Sequence, residues 1–146
     1  MIHILKMTTE HIKEVHKIEE DSFSIPWSEK SFYDELTKNK MAIYIVAKED
    51  DEIVGYGGMW HVINEGHITN IAVKKEHRKK GIGTKIINAL IDIAKEKEMI
   101  GITLEVRVSN HIAKSIYKKS GFIIEGIRKE YYDDNKEDAI VMWKNL

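Results

Sequence analysis

Three cations and two glycines, Arg78-Lys79-Lys80-Gly81-Ile82-Gly83, stand between a strand-like segment ending at Val73 and a helix-like segment that begins near Gly83. Glycines at a helix start let the backbone close around a ligand, and the first N–H groups of a helix are unpaired and carry partial positive charge. A phosphate placed there gains both hydrogen bonds and a favourable dipole. Charge-assisted contacts, about 1.5 to 3 kcal/mol each, would converge on one pyrophosphate. Two familiar nucleotide loops do not fit. A Walker A loop needs four residues between its glycines and Lys-Ser/Thr after the second, which Gly81-Ile82-Gly83-Thr84-Lys85 lacks. A dinucleotide fingerprint needs a third glycine, but position 86 is Ile, and a strand running directly into the turn, whereas seven residues separate Val73 from Gly81. A solvated basic loop is the plain alternative for Lys74, Lys75 and the cations that follow. The adjacent glycines favour a phosphorylated cofactor.

The elements that must hold this loop are legible from periodicity. Ile82, Ile86, Leu90 and Ile93 or Ala94 form an apolar stripe at helical spacing through about Lys97. Ile102 to Val108 then reads as a strand, and Asn110 caps a helix that ends at Ser120 with Gly121 just beyond it. Upstream, the segments Ala42 to Ala47, Ile53 to Val62 and His67 to Val73 read as an antiparallel meander. Gly55, Gly57 and Gly58 in its middle strand predict a bulge or a close backbone approach, with a weak edge strand as the other reading. Near the N-terminus, Ile2 to Lys6 alternates as a strand and Thr8 caps a helix bearing Ile12, Val15 and Ile18. Ser28 caps a second helix, with Trp27 and Phe32 placed as a hydrophobic staple. Phe122 to Tyr132 and Ala139 to Trp143 close the chain as two strands around the polar turn Asp133 to Asp138. The order β-α-α-β-β-β-α-β-α-β-β predicts an α/β (α+β) fold in which helices pack on a mixed sheet, as one domain over residues 1–146.

Bulk composition narrows the function. With 23 basic and 24 acidic residues the formal charge is -1, which argues against a surface built wholly for nucleic acid. The absence of cysteine removes disulfides, thiolate metal sites and thiol nucleophiles. The seven histidines suggest no metal site: His11 and His16 miss the i, i+4 spacing, and His61 with His67 lacks a third ligand. No basic-then-apolar leader and no run of roughly 18 apolar residues is present, so a cytoplasmic protein without membrane contact is expected.

Ile71-Ala72-Val73 followed by Arg78-x-x-Gly81-x-Gly83 resembles motif A of the GNAT superfamily of acetyl-coenzyme A dependent N-acetyltransferases. The run Leu104-Glu105-Val106-Arg107-x-Ser109-Asn110, with Ala113, Tyr117, Gly121-Phe122, Arg128, Tyr131-Tyr132 and Glu137-Asp138-Ala139, resembles more narrowly the RimI-type ribosomal-protein-alanine N-acetyltransferases. Pro26-Trp27-Ser28 is similar to that family's segment before its second helix. The resemblance covers nearly the whole chain. It implies a mixed, mainly antiparallel central sheet of about seven strands with helices on both faces. It also implies acetyl-CoA as co-substrate without a metal, and direct transfer to a peptide α-amine, most narrowly the N-terminal alanine of a ribosomal protein.

By the same resemblance, Glu105 is the general base and Tyr117 the general acid that protonates the coenzyme A sulfur. Ile71, Ala72 and Val73 would present backbone groups to the acetyl-pantetheine arm. Arg78, Lys79, Lys80, Gly81, Ile82, Gly83 and Thr84 would wrap the pyrophosphate, and Asn110 would contact the cofactor. Without the resemblance, Glu105 also reads as a surface carboxylate, Tyr117 reads more readily as core packing, and Asn110 reads equally as a helix cap. Trp27, Tyr131 and Tyr132 are candidate walls for an extended peptide, with core packing as the alternative. Arg128, Glu137 and Asp138 could orient that region through ion pairs. A peptide α-amine titrates near 7.7 to 8.0 and lysine near 10.4, so deprotonating lysine costs about 3 kcal/mol more, and a carboxylate with a modest upward pKa shift suits the former. A lysine, polyamine or other small amine stays open as acceptor. From another class, a silent CoA-binding sensor or interaction module stays open too.

Overall fold

The structure, a computed structural model, describes residues 1–146. Seven strands, β1 (Ile2–Lys6), β2 (Ala42–Glu49), β3 (Glu52–Val62), β4 (Glu65–Val73), β5 (Gly101–Arg107), β6 (Ile123–Arg128) and β7 (Ala139–Asn145), form one sheet. Their spatial order is β1-β2-β3-β4-β5-β7-β6, and every neighbouring pair is antiparallel except β4 with β5. The helices are α1 (Ile12–Ser22), α2 (Glu29–Thr37), α3 (Ile82–Glu96) and α4 (His111–Lys119). Parallel strands cannot be joined by a hairpin, and α3 supplies the crossover from β4 to β5.

Each face of the sheet is buried by a different helix pair. On one face, the α3 stripe Ile82, Ile86, Leu90 and Ala94 packs with Ala47, Met59, Leu104 and Met142, and Ile116 and Tyr117 of α4 lean on the same cluster. On the other, Val15 and Ile18 of α1 and Phe32 of α2 pack with Tyr44, Val46 and Tyr56. The glycines of β3 are explained by close approach, and β3 is an interior strand rather than an edge. A Cβ at Gly57 would meet Ile86 at 2.6 Å, so its absence lets α3 sit close to the sheet, while Gly58 lies beneath the Tyr44 ring. A bulge follows: Gly58 pairs with Asn70 and Met59 with Ile68, leaving Thr69 of β4 as the extra residue.

Local signals hold at the helix ends. Ser28 Oγ accepts the Ser31 N–H at 3.0 Å, and the Trp27 and Phe32 rings meet at 5.4 Å as the staple requires. Asn110 Oδ1 accepts the Ala113 N–H at 3.1 Å, and Gly121, at φ +98°, ends α4 with the Phe122 N–H on the Tyr117 carbonyl. Several strand boundaries shift by one or two residues, and two differences have a local cause. Thr8 first caps a 3₁₀ turn, Thr9–His11, that leads into α1. β6 stops at Arg128 instead of running to Tyr132, because Glu130 takes a positive φ and gives its N–H to the Asp138 carboxylate at 2.9 Å. No helix is long and apolar enough to cross a membrane.

Candidate active site

β4 and β5 pair only through Glu65 with Gly101, Gly66 with Ile102 and His67 with Thr103. Beyond these the strands part. The bulge at Thr69 bends β4, as an unpaired extra residue does. Ile68 to Ile71 and Leu104 to Arg107 then become walls of a cleft of about 640 Å³. Lys74 gives its N–H to Val54 of β3, and backbone directions alternate along a strand, so Ala72 also faces β3. Ile71 and Val73 face the split. Of the three residues grouped from sequence, Ile71 has its backbone groups free for a ligand, Val73 keeps its N–H free while its carbonyl accepts from Arg78, and Ala72 is occupied by pairing with Tyr56.

One end of the split is the basic glycine loop. Gly81 caps α3 at φ +79°, and a Cβ there would have nothing within 4 Å. Lys85 is the first residue of the helix to find a backbone acceptor, the Gly81 carbonyl at 3.1 Å, and the N–H groups from Lys79 to Thr84 make no hydrogen bond to the chain. A row of unpaired donors at a helix start, with open space above it and Lys79 and Lys80 exposed beside it, fits a pyrophosphate. The residues differ in how they can take part. Ile82 has its side chain in the core and offers its backbone alone. Arg78 folds back, giving Nε–H to the Val73 carbonyl at 2.9 Å and Nη2 to Ser22 Oγ at 3.3 Å, so it braces the loop against β4 and α1.

Glu105 and Tyr117 reach the cleft from opposite faces of the sheet. The neighbours of Glu105 on β5, Leu104 and Val106, point into the α3 core, which turns Glu105 to the other face. There it meets a partner the sequence did not reveal, His67 of β4, with Nε2 at 2.9 Å from Oε2; Arg128 Nε lies 3.7 Å from Oε1. The hydrogen bond from His67 holds the Glu105 carboxyl below the usual carboxylate range, and the same bond raises the His67 imidazole above its ordinary value. The shift is thus opposite in direction to the modest upward one that would suit deprotonating an α-amine. Tyr117 comes from α4, and burial pushes its phenol up to about 12, so at neutral pH it holds a proton it can donate. Its hydroxyl makes no hydrogen bond within the chain. Asn110 lines the same cleft while capping α4, and its Nδ2 remains unpartnered.

The opposite end of the cleft is aromatic. Trp27 lines it while packing on Phe32 and Tyr44, so it serves wall and core at once. Tyr131 and Tyr132 stand edge to face at 5.1 Å. Arg107 organises this loop: its guanidinium lies 3.9 Å from the Tyr132 ring centroid and bonds Asp134 at 2.9 Å and Glu137 at 3.3 Å. Of the three residues expected to orient the region by ion pairs, Glu137 and Arg128 form such pairs, Arg128 also lying 5.9 Å from the Tyr131 ring centroid, and Asp138 does not. Arg128 goes to Glu105, and Asp138 accepts a backbone N–H. No group of three His, Asp or Glu side chains is placed to hold a metal ion.

A free strand edge, a phosphate-sized row of N–H groups and two proton carriers flanking one cleft are what acyl transfer from a pyrophosphate-bearing donor requires. The model of the acetyltransferase (GNAT) family matches residues 12–122. The chain belongs to the GNAT acetyltransferase family. A relative from Bacillus subtilis (strain 168), provisionally named ribosomal protein bS18-alanine N-acetyltransferase, is 45% identical to this acetyltransferase over 98% of the chain and 95% of its own length. One from Salmonella typhimurium (strain LT2), named ribosomal protein bS18-alanine N-acetyltransferase, is 30% identical over 93% of this chain and 92% of its own. The crystal structure of the Escherichia coli ribosomal-protein-S18-alanine N-acetyltransferase superposes with a TM-score of 0.91 at 28% identity, covering 100% of this acetyltransferase and 94% of that chain. Acetyl-CoA is the co-substrate of this GNAT enzyme, and its pyrophosphate has a matching set of donors from Lys79 to Thr84.

Proposed function

We propose that this protein is an N-terminal acetyltransferase that moves acetyl from acetyl-CoA directly to a peptide α-amine, with the N-terminal alanine of a ribosomal protein as its substrate and the cytoplasm as its place of work. The observation that carries this reading is the split between β4 and β5, which leaves Glu105, hydrogen-bonded behind by His67, and Tyr117 lining one cleft. Relatives that share nearly the whole chain are named for the alanine of ribosomal protein bS18, which supports the narrower substrate.

Acetyl-CoA, when bound, supplies a thioester acyl group. The loop from Lys79 to Thr84 holds its pyrophosphate through backbone N–H groups, with Lys79 and Lys80 adding charge and Asn110 Nδ2 a further contact. Ile71 and Val73 line the acyl arm along the free edge of β4. Trp27, Tyr131 and Tyr132 wall in the peptide. Glu105, negative at neutral pH, attracts the α-ammonium and accepts its proton directly or through a water, and His67 beside it shares that proton. A weak base of this kind suits an α-amine, about half of which is already neutral near pH 8, better than lysine, whose deprotonation costs about 3 kcal/mol more. Tyr117 gives its proton to the departing sulfur.

A panel of acceptors tests the reading with the purified protein and acetyl-CoA: an alanine-starting peptide, the same peptide with a blocked N-terminus and a free lysine, and a polyamine. Transfer to the first, well above the other two, is expected. Preference for lysine or polyamine would replace the acceptor, and no product with any of them would favour a silent CoA-binding module.

A further inference from the structure

Glu19 is the one charged side chain buried in this fold, at 2% exposure. It falls on the apolar stripe of α1, beside Ile12, Val15 and Ile18, yet no cation pairs with it. Its carboxyl instead collects donors from three elements. Oε2 accepts the Trp27 N–H at 2.9 Å, and Oε1 accepts the Tyr56 hydroxyl of β3 and Asn70 Nδ2 of β4 at 3.3 Å. Burial and the neighbouring carboxyl raise the Tyr56 phenol, which keeps it a donor.

The placement of these donors is informative. Between α1 and α2 the chain has no regular structure, and the bond to Glu19 is the only one that a backbone N–H between Ser24 and Ser28 makes to the rest of the chain. That segment carries Trp27, one wall of the acceptor cleft. Asn70 follows the bulged Thr69, which bonds Asn70 Oδ1 at 2.8 Å, and both belong to the facing wall. The carboxyl thus joins the two walls at the floor of the cleft. An apolar side chain of similar volume would fill the same space with no desolvation cost and would tie down neither wall.

We propose that Glu19 is a positioning residue that fixes the α1–α2 wall against β4 and so sets how large a first residue the peptide can present. The proposal rests on the N-terminal acetyltransferase reading above. It predicts a defect confined to the acceptor side, since the phosphate loop lies at the other end of the split.

The test compares Glu19→Met, which keeps volume and removes every acceptor, with Glu19→Gln, which keeps one. Glu19→Met is expected to raise the KM for an alanine-starting peptide about ten-fold or more and to erode the preference for alanine over leucine as first residue by a similar factor, with the acetyl-CoA KM within about two-fold of wild type. Backbone amide exchange should quicken from Phe23 to Ser28 and stay unchanged in β3 and in α1 as far as Ile18. Glu19→Gln should fall between, and it decides the matter alone if the methionine variant does not fold. Peptide and acetyl-CoA KM values rising together, or wild-type exchange at Phe23 to Ser28, would overturn the proposal. A wild-type enzyme inactive on every peptide N-terminus would overturn the functional reading instead, while the exchange measurement still decides whether Glu19 holds the wall.

Discussion

Replacing Gly81 by alanine separates the stability of the phosphate loop from its binding role. Gly81 sits at φ +79°, a conformation that costs an L-residue about 1–2 kcal/mol, while the added methyl would meet nothing in the protein within 4 Å. The expected loss of stability is therefore that strain alone, which for a chain of this size lowers the midpoint by roughly 2–8 °C. Binding should suffer separately, because the methyl occupies the space above the free N–H groups. Displacing the pyrophosphate from one charge-assisted donor costs about 1.5–3 kcal/mol, or roughly 10- to 150-fold in CoA affinity. Gly121→Ala is the control, since Gly121 is also in the left-handed region, at φ +98°, but ends α4 away from the loop. Calorimetric titration of CoA and thermal unfolding of the free proteins read both quantities. If Gly81→Ala binds CoA within about two-fold of wild type, or if Gly121→Ala weakens binding equally, the cradle assignment is wrong.

Glu105→Gln and Tyr117→Phe should each retain CoA affinity while lowering kcat by about 10²–10⁴, and wild-type rates in both variants would remove their proton-transfer roles. The His67–Glu105 pair makes stability depend on pH in a defined window. His67 is raised, so its contribution is complete below its ordinary value of 6.5 and fades as pH rises through the raised one; Glu105 is lowered, so its contribution is complete above 4.5 and fades as pH falls through the lowered one. The deficit of His67→Ala relative to wild type, followed by urea unfolding, should be largest between pH 4.5 and 6.5 and shrink on the alkaline side, and a pH-independent deficit would contradict the ion pair. Gly58→Ala should cost about 1–3 kcal/mol by driving a methyl into the Tyr44 ring, measurable by the same unfolding; an unaffected midpoint would show that Tyr44 moves freely.

What was legible in the sequence was what local spacing encodes. The stripe of α3, the caps at Ser28 and Asn110, the Trp27–Phe32 staple and Gly121 behind α4 each depend on residues within a few positions of one another, and each is where it was expected. The partnership of His67 with Glu105 depends on the parallel register of two strands separated by a whole helix, and no local pattern carries that. Likewise, Arg107 reaches Asp134 and Glu137 only because β5 and β7 lie side by side. Arg78 looked like a phosphate ligand because charge beside a glycine loop does not say which way a long side chain folds. Glu19 is a different case: it lies seven residues after Ile12 and four after Val15, on the buried face of the helix, but its charge reads as solvent-facing until its donors from three elements are seen.

The nitrogen that receives the acetyl group decides the reaction. Incubating the enzyme with acetyl-CoA and candidate ribosomal proteins that start with alanine, then locating the added mass by peptide fragmentation, reads this directly. The acetyl group is expected on the α-amine of the first residue, and modification found only on lysine side chains would contradict the central claim.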